Sequence, residues 1–115
     1  MKEWKIIFYQ TTRGDKPVEE FIDKLDFKKQ TKIFSHLELL KEYGLNLSAT
    51  YLKKLAGTKK LWELRVSVYR IFLSPIVKRN ILLIHMIVKK SNKTPKKDLR
   101  LAESRLKDFL KGGNL

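Results

Sequence analysis

The sequence predicts an α+β domain in which helices pack on one antiparallel sheet. Three observations carry that prediction. Apolar residues recur at helical spacing in two places near the N-terminus and in one near the C-terminus. Between them, three consecutive stretches carry the alternating or near-continuous apolar pattern of strands, and a further strand-like stretch opens the chain. The order is strand, two helices, a three-strand meander and a last helix, which is the segregated arrangement of an α+β fold. At 115 residues, with 43% hydrophobic and 33% charged, the chain is long enough for one core. No repeat, linker or low-complexity tract divides it, so residues 1–115 are read as one domain.

Lys5 to Gln10 (KIIFYQ) is rich in β-branched and aromatic residues and reads as the first strand. Thr11 to Lys16, with Gly14 and Asp15, is a turn. Pro17 suits a first helical turn, where its missing N–H is not needed. Val18, Phe21, Ile22 and Leu25 then follow at helical spacing, up to a break near Asp26. In a second helix Ile33, Phe34, Leu37, Leu40 and Tyr43 form one apolar stripe, and Gly44 is placed to cap it. Residues 45–51 are polar and irregular, Leu52 to Leu55 is a short strand or a turn, and Gly57 to Lys60 turns the chain.

Leu61 to Ser67 (LWELRVS) alternates, with Trp62, Leu64 and Val66 on one face and Glu63 and Arg65 on the other. After a very short turn at Val68-Tyr69, Tyr69 to Val77 is the next strand, and Pro75 marks its far end as an edge or a bulge. Lys78 to Asn80 is a hairpin connection. Asn80 to Lys90 is nearly all apolar up to its two lysines, as an interior strand covered on both faces should be. Thr94-Pro95 opens a last helix through Leu99, Ala102, Leu106, Phe109 and Leu110, which Gly112-Gly113 stops.

Several function classes fall away on composition. Without cysteine there is neither a disulfide nor a cysteine-rich metal site, and the two histidines, His36 and His85, have no metal-ligand spacing. No cofactor is implied. The apolar run Ile6 to Tyr9 is too short for a secretory signal, and Ile81 to Val88 too short for a membrane span. The chain therefore reads as soluble and cytoplasmic. Its net charge of +14 is unevenly spread: residues 1–50 carry a net +1 and residues 51–115 a net +13. That asymmetry gives the second half a positive field suited to a polyanion, and nucleic acid is favoured over a membrane surface or a merely solubilising charge.

Polar residues on a strand built for burial point to the site. Glu63 and Arg65 share a face, and pairing across the turn brings Arg70 to it. Lys89 and Lys90 end the last strand, and Lys93 follows. One carboxylate among cations is what RNA cleavage by the ribose 2′-OH asks for: a group to take the hydroxyl proton and guanidinium forks to hold the charge growing on the phosphate. A structural salt bridge between Glu63 and the arginines explains the same residues. A carboxylate flanked by cations is also a weaker base, which suggests an orienting role for Glu63. His85, mid-strand among apolar residues, reads as a hydrogen-bonded core histidine. Trp62 and Phe72 are assigned to the core by alternation, which leaves Tyr69 as the aromatic available to stack on a base. Lys59 and Lys60 join the phosphate-binding set. Neither arginine is expected in the core, so replacing either should leave the fold intact.

The stretch LWELRVSVYRIFLSP, then ILLIHMIVKKSNKTP, then a helix with Ala102 and Arg105 in A-x-x-R, resembles the HigB-like branch of the RelE/ParE toxin superfamily. The resemblance covers residues 50–110 and is specific in its combination of W-E-L-R, Y-R and K-K-x-x-K-T-P. It implies a RelE-like fold and the toxin of a type II toxin–antitoxin pair, a metal-independent, ribosome-dependent mRNA endonuclease. By motif it carries the catalytic role to Glu63, Arg65, Arg70 and Lys90, with Lys89 and Lys93 on the RNA. Glu63 stands where RelE itself has a lysine. The implied partners are a helix-turn-helix, HigA-like antitoxin, mRNA on the ribosome, and operator DNA only through that antitoxin. Two alternatives remain: a basic nucleic-acid-binding module without chemistry, and a gyrase-inhibiting toxin of ParE type.

Overall fold

A computed structural model describes residues 3–112. Strand β1 (Lys5–Phe8) leads to helix α1 (Pro17–Asp23) and helix α2 (Phe27–Tyr43). A short 3-10 turn (Gly44–Asn46) precedes β2 (Leu52–Lys54), β3 (Trp62–Val66), β4 (Tyr69–Ile76) and β5 (Asn80–Val88), and α3 (Lys96–Gly112) follows. The expected stop at Gly112-Gly113 falls partly on Gly113, which lies outside the described residues.

Local chemistry sets the helices. Pro17 starts α1, as its fixed φ predicts. The side chain of Asp26 accepts from the Lys29 N–H at 2.9 Å and caps α2. Gly44 ends α2 at φ +56°, with Trp4 packed so close that no side chain fits there. The buried stripe of α2 is Ile33, Leu37 and Leu40, whereas Phe34 and Tyr43 are about half exposed and lie off the core.

The five strands lie in the order β1-β5-β4-β3-β2. The meander β3-β4-β5 is antiparallel as expected. The sheet as a whole is not, because β1 pairs parallel with β5, Ile6 opposite Ile81. A crossover through α1, α2 and β2–β4 separates the two strands, and such a connection delivers a parallel neighbour. Leu52 to Lys54 resolves into strand as a fifth member, beside β3.

Nor do the helices share one face. Helices α1 and α2 cover one side, where Val18, Ile22, Ile33 and Leu40 meet Leu64, Val66, Ile71 and Leu83. Helix α3 covers the other, where Ala102 and Leu106 meet Phe72, Leu82 and Ile84. β5 is thereby buried on both faces, which explains its apolar run. Pro75 falls where β4 extends beyond the end of β3 and is flanked by β5 alone, so its missing N–H costs no ladder bond on the open side.

The irregularity in the ladder lies elsewhere. Phe72 pairs with His85 and Leu73 with Leu83, leaving Ile84 as an extra residue on β5. Strict alternation from Ile81 and Leu83 would have put His85 among the apolar residues under α1 and α2. The bulge turns it to the α3 face.

Candidate active site

The hairpin β3–β4 builds the site. Arg65 pairs directly with Arg70, and Glu63 with Phe72 on the same α3-facing side. Two like charges opposite one another repel, and Glu63 resolves the conflict. Its Oε2 lies 3.3 Å from the Arg65 Nε, which donates to it, and 4.0 Å from the Arg70 Nε. Its Oε1 accepts from the Thr94 hydroxyl at 3.3 Å. Both oxygens are therefore engaged, and the residue is only 5% exposed. Such a carboxylate orients cations and ties the β5–α3 loop to the hairpin.

The two arginines differ. Arg70 donates through Nη1 to the Ser67 and Tyr69 carbonyls at 2.9 and 2.8 Å, and its side chain is 12% exposed. Ser67 stands at φ +55° in the tight turn, so Arg70 also clasps a strained link. It is thus part of the fold, contrary to the expectation that its loss is structurally silent. The Arg65 side chain is 37% exposed, and its terminal nitrogens make no hydrogen bond among the described residues. That fork is presented to solvent.

Both arginines and Glu63 line a cleft of about 500 Å³ between the end of β5 and the start of α3. Lys89, Lys90 and Lys93 line it as well, as do Lys97, Thr94 and Asp98, which the sequence reading did not select. Lys89 is fixed by its backbone N–H, which donates to the Val68 carbonyl at 2.6 Å. The lysines at 89, 90 and 93 are exposed at the cleft rim.

Three expected residues are not brought to this place. Tyr69 is 7% exposed and stands edge-on to Phe21 on the α1 side. It pairs with Val66 and so shares the face of Leu64, which takes its ring out of reach of a base. Lys59 and Lys60 rim a separate groove against Lys107 and Leu110 near the end of α3. They sit before the start of β3, whereas the cleft lies toward its end.

Behind the cleft runs a second polar network. His85 Nε2 lies 2.7 Å from Asp98 Oδ1, and its Nδ1 lies 3.3 Å from Arg105 Nη1. Arg105 also donates to the Ile84 carbonyl at 3.1 Å and packs over the Tyr9 ring at 5.7 Å. Burial draws the Arg105 guanidinium below the ordinary arginine range. The Tyr9 hydroxyl donates to Asp108 at 2.7 Å; burial, then that bond, raises its titration above the usual tyrosine value of 10.0. His85 is thus hydrogen-bonded, as the sequence suggested, and stacks on Phe72 at 5.6 Å. Among the described residues no group of three His, Cys, Asp or Glu side chains is placed to hold a metal. No described helix is long and apolar enough to cross a membrane.

A family model described as phage derived protein Gp49-like (DUF891) matches residues 20–107. No curated protein matches the chain. Among solved structures, a chain of the archaeal RelE–RelB complex from Pyrococcus horikoshii OT3 superposes with a TM-score of 0.57 at 16% identity. The match covers 76% of this chain and 96% of that one, so the fold is RelE-like. Because the family model spans β3, β4, β5 and most of the three helices, the chain belongs to the phage-derived Gp49-like family.

Proposed function

We propose that this protein is the toxin of a type II toxin–antitoxin pair, of HigB type, and that it cuts mRNA on the ribosome. The observation that carries the reading is the pair of guanidinium groups held by one buried carboxylate on the wall of a lysine-rimmed cleft. In the reaction, the ribose 2′-oxygen attacks the adjacent phosphorus and the 5′-oxygen leaves. Negative charge grows on the non-bridging oxygens, and fixed donors aimed at that charge lower the barrier. Arg65, with its free fork, meets the phosphate first. Arg70 supplies fixed charge beside it, and Glu63 sets the spacing of the two. Lys89 and Lys93 hold the flanking backbone, Lys90 supplies the proton to the leaving 5′-oxygen, and no metal takes part in the step. Lys59 and Lys60, at a separate groove, act on RNA remotely through the field of the basic half.

The structural neighbour is a complex of RelE with RelB. By that analogy the proposed partner is an antitoxin, of helix-turn-helix, HigA-like type. Through it alone the toxin reaches operator DNA, and the proposed setting is the cytoplasm. Primer extension on an mRNA incubated with the purified protein tests the reading. Truncated products only when translating ribosomes are present support it. RNA bound but never cut favours a non-catalytic module, and DNA damage on expression with intact mRNA favours a gyrase-directed toxin.

A further inference from the structure

With Glu63 occupied on both oxygens, the cleft still needs a group to receive the 2′-hydroxyl proton. Resting on the nuclease reading, we propose that Asp98 is that group and that His85 and Arg105 are positioning residues that hold it. Asp98 lines the cleft, and its side chain is 15% exposed. Oδ1 is bound by His85, while Oδ2 makes no hydrogen bond among the described residues.

The geometry behind Asp98 is built on several elements. The bulge at Ile84 turns His85 toward α3 and leaves the Ile84 carbonyl outside the regular ladder. Arg105 takes that carbonyl and, with the same Nη1, approaches Nδ1 of His85. Arginine only donates, so Nδ1 is the acceptor and the ring hydrogen sits on Nε2, aimed at Asp98. Phe72, fully buried, fixes the plane of the imidazole by stacking at an interplanar angle of 22°. Tyr9 beneath Arg105 fixes the guanidinium in turn. A cleft-lining carboxylate oriented through one oxygen, with the other uncommitted among the described residues, is the arrangement of a general base.

The placement suits a phosphodiester between the two groups. Glu63, Phe72 and His85 occupy one row across β3, β4 and β5. Two strand spacings put the backbones of Glu63 and of His85, which holds Asp98, roughly 10 Å apart. In the step, the 2′-hydroxyl proton passes to Oδ2 of Asp98 as the O2′–P bond forms. The P–O5′ bond breaks, and a proton from the Lys90 ammonium goes to the departing 5′-oxygen. The carboxylic acid and the neutral amine then exchange a proton through water, restoring both. His85 does not take the proton, because Nε2 already carries one and Nδ1 faces Arg105.

The test uses the full chain with ribosomes and mRNA. Asp98→Asn keeps a carbonyl for the His85 N–H and removes the basic oxygen. It should leave RNA binding and the melting temperature near wild type while slowing single-turnover cleavage about 100-fold or more. In Asp98→Ala, added formate should restore part of the cleavage, which a purely structural contact would not allow. Should Asp98→Asn melt below the assay temperature, formate rescue of Asp98→Ala decides, and its absence overturns the proposal. If wild type cuts and Asp98→Asn cuts equally well, the proposal fails alone and the network only anchors α3. If wild type itself cuts nothing, the nuclease reading fails and this one with it.

Discussion

Replacing Arg65 and Arg70 separately by alanine should give two different phenotypes, because the structure gives the residues different burdens. Arg65 contributes one hydrogen bond to Glu63 from a side chain that is 37% exposed. Pairs at that exposure are worth roughly 0–1 kcal/mol. Arg70 holds two carbonyls of the turn from a side chain that is 12% exposed. Hydrogen bonds from a charged donor contribute about 1.5–3 kcal/mol each when buried. With both at the protein edge, a total of about 2 kcal/mol is the reasonable figure. For a domain of this size 1 kcal/mol moves the melting temperature by roughly 4 °C. Arg70→Ala should therefore melt about 8 °C early and Arg65→Ala within about 4 °C of wild type. Both should lose cleavage by about 100- to 1000-fold, the usual cost of removing one fixed donor to a growing oxyanion. Differential scanning calorimetry together with a single-turnover cleavage assay reads both quantities. An Arg65→Ala protein that folds and cuts at the wild-type rate would refute the assignment.

Three further outcomes are expected. Neutralising Lys90 and Lys93 together to glutamine should weaken mRNA association and flatten its salt dependence, whereas Lys59→Gln with Lys60→Gln should leave the cleavage rate unchanged, since those lysines rim another groove. Gly44→Ala should destabilise the fold by about 2–4 kcal/mol, read by urea denaturation, because the position is at φ +56° and the new Cβ would fall within 2.6 Å of the Trp4 ring. The Lys29 backbone N–H holds the Asp26 carboxyl below its ordinary value of 3.8, so its contribution is present above that pH and lost as pH falls through the lowered value. The difference in melting temperature between wild type and Asp26→Ala should accordingly shrink below pH 3.8.

Much of this architecture was legible in the sequence where local chemistry alone decides it. Pro17, the apolar spacing of α2 and the alternation of Trp62, Leu64 and Val66 each act within a few residues. The parallel pairing of β1 with β5 depends on contacts more than seventy residues apart, and no local pattern encodes it. The same limit explains Tyr69. Its alternation partner across the turn is Val66, and only the register reveals that both face α1. Glu63, Arg65 and Arg70 were found because charge on a buried strand is conspicuous. Thr94 and Asp98 were not, since an ordinary helix start also carries Thr and Asp. The bulge that turns His85 toward Asp98 has no glycine or proline to announce it.

The measurement that bears most directly on the central claim is the chemistry of the RNA ends. mRNA cut by the purified protein on translating ribosomes should carry a 2′,3′-cyclic phosphate on the upstream fragment and a 5′-hydroxyl on the downstream one, and the Arg65→Ala protein should produce neither. A 5′-phosphate on the downstream fragment, or full-length mRNA beside arrested growth, would contradict attack by the 2′-hydroxyl in the Arg65–Arg70 cleft.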